Sequence, residues 1–108
     1  MSQDYLGEFE QMVLLSIMRL GVGAYGLAIR DELARVAGRT PSSGSLYTTL
    51  DRMERKGLVS SSAGEVTLER GGRPRRYVRV TAAGEALLAR SRSTLMALWD
   101  GLEGALDQ

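Results

Sequence analysis

Thr40-Pro41-Ser42-Ser43-Gly44-Ser45-Leu46-Tyr47-Thr48-Thr49-Leu50-Asp51-Arg52-Met53-Glu54-Arg55-Lys56-Gly57 carries two patterns at once. Leu46, Leu50 and Met53 recur at helical spacing, which predicts a helix over residues 42–56 with that stripe buried. Thr40 or Ser42 can cap its start, Pro41 suits the entry to a first turn, and Gly57 ends it. The opposite face holds Ser45, Thr48, Thr49, Arg52 and Lys56, all hydrogen-bond donors and none bulky and apolar. Three hydroxyl residues on one face cost helix propensity, so a solvated surface alone explains them poorly. Short hydroxyls followed by cations fit a helix that enters a DNA major groove, with Ser43 joining them at the helix start. Tyr47, beside Leu46, either packs at the core edge or turns its hydroxyl toward a phosphate.

Downstream, Leu58 and Val59 open an extended stretch. Residues 65–69 alternate, with Val66 and Leu68 on one side, and predict a strand. A turn over 70–75 leads into a return strand over 76–80, where Val78 and Val80 share a face. Arg70, Arg73, Arg75 and Arg76 crowd around Gly71, Gly72 and Pro74. Like charges this close repel one another and are stabilised opposite phosphates or in a narrow minor groove. Thr81 then caps a last helix over 82–106, lined by Leu87, Leu88, Leu95, Leu98, Trp99, Leu102 and Leu106.

Upstream, residues 8–20 form a first helix with Phe9, Val13, Ile17 and Leu20 on one stripe. Met12, Leu15 and Met18 make most of its remaining surface apolar, as suits a central helix or one packed on a partner. A second helix over 24–37 places Ile29, Leu33 and Val36 on one face and an Asp31–Arg35 pair on another. Helix, helix, helix, hairpin, helix is the order of a winged helix-turn-helix: a mainly α domain with a small β-hairpin. Residues 1–81 make the DNA-binding domain, and 82–108 a C-terminal dimerisation helix.

The charge is distributed accordingly. The chain of 108 residues has a net charge of +1, split as −2 over 1–38, +5 over 39–80 and −2 over 81–108. A basic middle in a neutral body is the footprint of a polyanion-binding surface. No cysteine and no histidine are present. That removes disulfides, thiolate and His-based catalysis, and the commonest metal ligand. No Walker loop or dinucleotide fingerprint occurs, and Asp31 and Glu32 fall on predicted exposed faces, so no enzyme is expected. The longest apolar run, 12–17, is too short to span a bilayer, and the acidic N-terminus is unlike a signal peptide. A cytoplasmic protein is expected, without membrane contact and without metal or organic cofactor.

Several blocks together resemble the PadR family of bacterial transcription regulators: Leu6-Gly7-Glu8-Phe9-Glu10, Ala24-Tyr25-Gly26, Gly44-Ser45-Leu46-Tyr47-Thr48-Thr49-Leu50, Glu54-Arg55-Lys56-Gly57-Leu58-Val59, Gly71-Gly72-Arg73-Pro74-Arg75-Arg76-Tyr77 and Thr81-Ala82-Ala83-Gly84. The resemblance spans about residues 6–84. It implies a winged helix-turn-helix that dimerises through its C-terminal helix and represses transcription. The short length resembles the subgroup with a single C-terminal helix. Pro41 and Val78 depart from the residues common in the family.

These readings converge on a homodimeric, sequence-specific binder of double-stranded DNA that represses transcription at a palindromic operator. Ser43, Ser45, Tyr47, Thr48, Arg52 and Lys56 of the third helix and Arg70, Arg73, Arg75 and Arg76 of the wing are the expected DNA contacts. Leu88, Leu95, Trp99 and Leu102 are the expected dimer interface. Trp99 is also the candidate site for a small planar aromatic effector. The alternative is a winged-helix protein-interaction module that docks an acidic partner through its basic wing.

Overall fold

A computed structural model describes residues 5–64 and 74–106 of the chain. The first helix, α1, spans Glu8–Leu20 and turns Val13, Leu14 and Ile17 inward. Glu10 closes its first turn by accepting the Gly7 amide on Oε1 at 2.9 Å. A short 3-10 turn, Gly21–Gly23, separates it from α2, Gly26–Ala37.

The second helix starts two residues later than its periodicity predicts. Ala24 and Tyr25 are committed elsewhere: the Ala24 carbonyl accepts the Val78 amide at 2.9 Å, and Tyr25 bridges to Tyr77. Ile29 and Leu33 are buried as expected, whereas Val36 is exposed. The expected Asp31–Arg35 pair gives way to a different clamp. Glu32 Oε2 receives Arg19 Nε of α1 and Arg35 Nη2, both at 2.7 Å. Glu32 therefore lies against α1 with its side chain only 11% exposed, not on the open face expected for it.

The third helix, α3, spans Ser43–Arg55. Ser42 is the cap: its Oγ accepts the Ser45 amide at 3.0 Å. Leu46, Leu50 and Met53 are fully buried against α1 and α2, the stripe that the sequence predicts. Each such side chain contributes about 1.5–3 kcal/mol by leaving water.

Two antiparallel strands follow, β1 (Val59–Ala63) and β2 (Arg76–Val80), with Val59 opposite Val80 and Ala63 opposite Arg76. The first strand thus begins where the extended stretch at Leu58 was noticed, not at residue 65. Burial of Leu58 and Val59 anchors it, and Ser60–Ser62 lack the apolar alternation that flags a strand. The strand expected over 65–69 lies outside the described residues.

The last helix, α4, spans Ala82–Trp99. Thr81 Oγ1 accepts the Gly84 amide at 3.1 Å and donates to the Gly57 carbonyl at 2.6 Å, pinning the start of α4 to the end of α3. A Cβ at Gly84 would collide with the Leu58 carbonyl, so only glycine lets the helix lie on that backbone. Leu87 and Leu88 join the common core. From Arg92 on, every residue of α4 is exposed. The helix ends at Trp99 rather than near residue 106. Asp100 leaves the helical conformation and Gly101 takes a φ of +82°, after which Leu102 and Ala105 continue in turns. Among the described residues, no helix is long and apolar enough to cross a membrane.

Candidate nucleic-acid interface

Burial of Leu46, Leu50 and Met53 rotates the other face of α3 into solvent. Ser43, Ser45, Tyr47, Thr48, Asp51 and Arg55 are exposed on it. Arg30 of α2 braces its start, donating from Nη1 to Ser43 Oγ at 3.1 Å and from Nε to the Pro41 carbonyl at 3.1 Å. Tyr47 resolves toward the first of its two expected roles while staying 42% exposed. Its hydroxyl sits over Gly26, where a Cβ would overlap it, so the ring seals the joint between α2 and α3. Thr49 is only 4% exposed and belongs to the core edge, not to the open face where the sequence put it. It follows Thr48 by one residue, about 100° around the helix.

Arg52 and Lys56 lie on the α1 side of this face, about 40° and 80° around the helix from Thr48. Both reach Glu10 Oε2 of α1, Arg52 Nε at 3.1 Å and Lys56 Nζ at 3.7 Å. Glu10 is itself 7% exposed. Burial pushes its carboxyl up, but the Gly7 amide, the Arg52 hydrogen bond and the charges of Lys56 and Arg52 together outweigh this. The carboxyl is held below its ordinary range. Arg55, which sequence reasoning passed over, is also exposed. It lies seven residues after Thr48, hence about 20° from it around the helix, and forms no ion pair among the described residues.

The base of the hairpin contacts α3 and the start of α2. Arg76, expected to meet DNA, is instead engaged within the chain. Nη1 reaches Asp51 Oδ1 at 2.9 Å, Nη2 reaches Glu54 Oε1 at 2.8 Å, and Nε donates to Ser61 Oγ at 3.0 Å. Burial pulls the Arg76 guanidinium down, and the Glu54 and Asp51 carboxylates more than restore it, holding it above its ordinary value. The Glu54 carboxyl is held low in turn, by the Ser61 hydroxyl first and Arg76 second. Arg75 lies over the Tyr25 ring, 4.2 Å from its centroid, and Tyr25 meets Tyr77 edge-on at 5.7 Å. A guanidinium stacked in this way keeps its charge while losing rotamer freedom. Arg70 and Arg73 lie outside the described residues.

The outer part of α4 has the opposite character. Leu95, Leu98, Trp99, Leu102 and Leu106 are 41–73% exposed and, with Ala105, line an open apolar cup of about 260 Å³. Leu88 is not among them: at 8% exposure it is core of its own chain. Two turns separate it from Leu95, and every helix residue from Arg92 on is exposed.

Three helices, a two-stranded wing and a projecting helix are thus in place, with hydroxyls and one arginine on the open face of α3. The sequence pattern of the family described as "Transcriptional regulator PadR-like family" matches residues 14–90, well over half of the chain. The chain belongs to the PadR-like family of transcriptional regulators. Transcriptional regulator Rv3488 of Mycobacterium tuberculosis is 41% identical to the PadR-like chain over 71 residues. The match takes in 66% of the chain, and the chain spans about 62% of that regulator's length. Among solved structures, a PadR family transcriptional regulator from Eggerthella lenta superposes with a TM-score of 0.68 at 29% identity, covering 94% of this chain and 88% of that one. A PadR-like transcriptional regulator from Bacillus cereus superposes with a TM-score of 0.72 at 22% identity, over 93% and 92% of the two chains, and speaks for the fold.

The matched stretch takes in α2, α3, both strands and the first turns of α4 of the PadR-like chain. Of the residues expected to contact DNA, Ser43, Ser45, Tyr47 and Thr48 share the open face of α3, and Arg75 flanks the hairpin base. Arg52, Lys56 and Arg76 are drawn into ion pairs with Glu10, Asp51 and Glu54. Those acidic partners come from distant parts of the chain or from the helix's own flank, and spacing alone does not assign them.

Proposed function

We propose that the chain is a cytoplasmic, non-enzymatic repressor that binds a palindromic operator in double-stranded DNA as a homodimer. The observation that carries the reading is the open face of α3. Ser45 and Thr48 offer short hydroxyls there and Arg55 a cation with no ion pair among the described residues, at the spacing a major groove accommodates. Arg75 supplies a second cation at the hairpin base, over Tyr25, and the sequence adds Arg70 and Arg73 to the same wing. The exposed leucines and Trp99 of the outer α4 support dimerisation, because a second copy of the same stripe would bury them and set two α3 helices on successive half-sites. The apolar cup at Trp99 supports a planar aromatic effector there, readable as saturable quenching of the single tryptophan.

Selection of duplexes from a random pool, followed by fluorescence anisotropy over a salt series, tests the reading. The wild type is expected to enrich a two-fold symmetric site. Arg55→Ala is expected to reduce the slope of log affinity against log salt by about one, the signature of one lost phosphate contact. Enrichment of no duplex, together with binding to an acidic polypeptide, would replace this reading by that of a protein-docking module.

A further inference from the structure

We propose that Glu10 is a positioning residue for DNA binding: it holds Arg52 and Lys56 of α3 against α1 and so keeps two cations off the DNA backbone. The inference rests on the DNA-binding reading and says how that surface is tuned. Three observations support it. Glu10 is nearly buried at the third position of α1, so its carboxylate needs partners, and its two oxygens are used differently. Oε1 takes the Gly7 amide of its own helix, and Oε2 takes Arg52 and Lys56 from α3. Next, Arg52 and Lys56 stand one turn apart on the α1 side of α3, about 40° and 80° around the helix from Thr48, whereas Arg55 is about 20° away on the other side. Lastly, the other charges near this face are also matched. Asp51 and Glu54 are taken by Arg76, which leaves Arg55 as the α3 cation with no ion pair among the described residues.

The consequence is one of specificity. Each cation that meets a phosphate releases a counterion, and that gain is the same on any sequence. A helix with all three basic residues facing the backbone would bind every duplex more tightly. Pairing two of them with Glu10 at the surface leaves a larger share of the affinity to base-edge contacts from Ser45 and Thr48. Glu10 thereby trades non-sequence affinity for discrimination, without touching DNA itself.

The experiment uses the full chain and a random-sequence duplex, with anisotropy titrations between about 50 and 200 mM salt. Glu10→Gln keeps the size of the side chain and an acceptor for the Gly7 amide but removes the charge. It is expected to steepen the salt slope by about one to two and to tighten binding to the random duplex at the low-salt end, as freed cations find phosphates. Adding Arg52→Gln and Lys56→Gln to it should return the slope to the wild-type value. In the wild type, Arg52→Gln alone should leave the slope unchanged, and this arm decides the matter even where Glu10→Gln folds poorly. A purely structural role for Glu10 would lower the melting temperature and leave the slope alone, and an unchanged slope in a folded Glu10→Gln overturns the proposal. So does a slope reduced by about one in Arg52→Gln, which would place Arg52 on the DNA. A wild type that binds no duplex at any salt removes the DNA-binding reading itself, an outcome distinct from equal slopes in wild type and variant.

Discussion

The winged head and the outer half of α4 are built from the same kinds of residue and put them to opposite use. In the head, Leu14, Leu33, Leu46 and Leu50 are at most 1% exposed, and polar side chains that go inward, such as Glu10, arrive with partners. In the outer α4, Leu95, Leu98 and Trp99 are 41–68% exposed among the described residues. The head pairs its own polar groups, and the arm leaves its apolar side chains open among the described residues. Small domains gain much of their stability from shared surface, and an exposed apolar stripe at the end of a rigid helix is how such surface is offered.

The contrast can be broken most forcefully from inside. Leu46→Ala should cost about 2–5 kcal/mol of head stability, read by urea unfolding, because the cavity lies where α1, α2 and α3 meet. Leu98→Ala on the arm removes the same atoms and should change the stability of the isolated subunit by less than about 0.5 kcal/mol. Equal losses at the two positions would erase the distinction.

Charge on the arm should separate the regions in another way. Leu95→Glu with Trp99→Glu is expected to leave the melting of the head intact while shifting sedimentation from dimer to monomer at micromolar concentration. Affinity for a two-half-site duplex should then fall by at least about 100-fold, since the half-sites are no longer linked. Sedimentation of the wild type as a monomer at that concentration would end the argument.

The smallest effect concerns acid. The Glu10 carboxyl is held below its ordinary value in the folded chain, so its contribution to stability is full above the unfolded value, about 4.3, and is lost as pH falls through the folded value. Wild type should therefore exceed Glu10→Gln in melting temperature by a constant margin from pH 6 to 8 (about neutral conditions), and the margin should shrink below about pH 4. A margin that stayed constant into acid would mean that the Glu10 pairs add nothing to the stability of the head.

Periodicity by itself determined most of this protein. The stripe Leu46, Leu50, Met53, the stops at Gly21, Gly38 and Gly57, and the caps at Ser42 and Thr81 are local signals, set by side-chain spacing and by backbone groups that must be paired within a few residues. They suffice for the order of elements and for the hydroxyl face of α3. Local signals misjudged the places where tertiary contacts compete with them. Ala24 and Tyr25 pair with β2 instead of starting α2, and Ser60–Ser62 become strand because Leu58 and Val59 are pulled into the core. Charge was the least legible. A run of arginines and lysines is readable as basic, but which of them stay available depends on carboxylates far along the chain, 42 residues away for Arg52: Glu10 for Arg52 and Lys56, Asp51 and Glu54 for Arg76. Ion pairs act through space over a few ångströms and leave no period along the chain, so only the packing of α1 and the hairpin against α3 decided that Arg52, Lys56 and Arg76 are ion-paired while Arg55, among the described residues, is not.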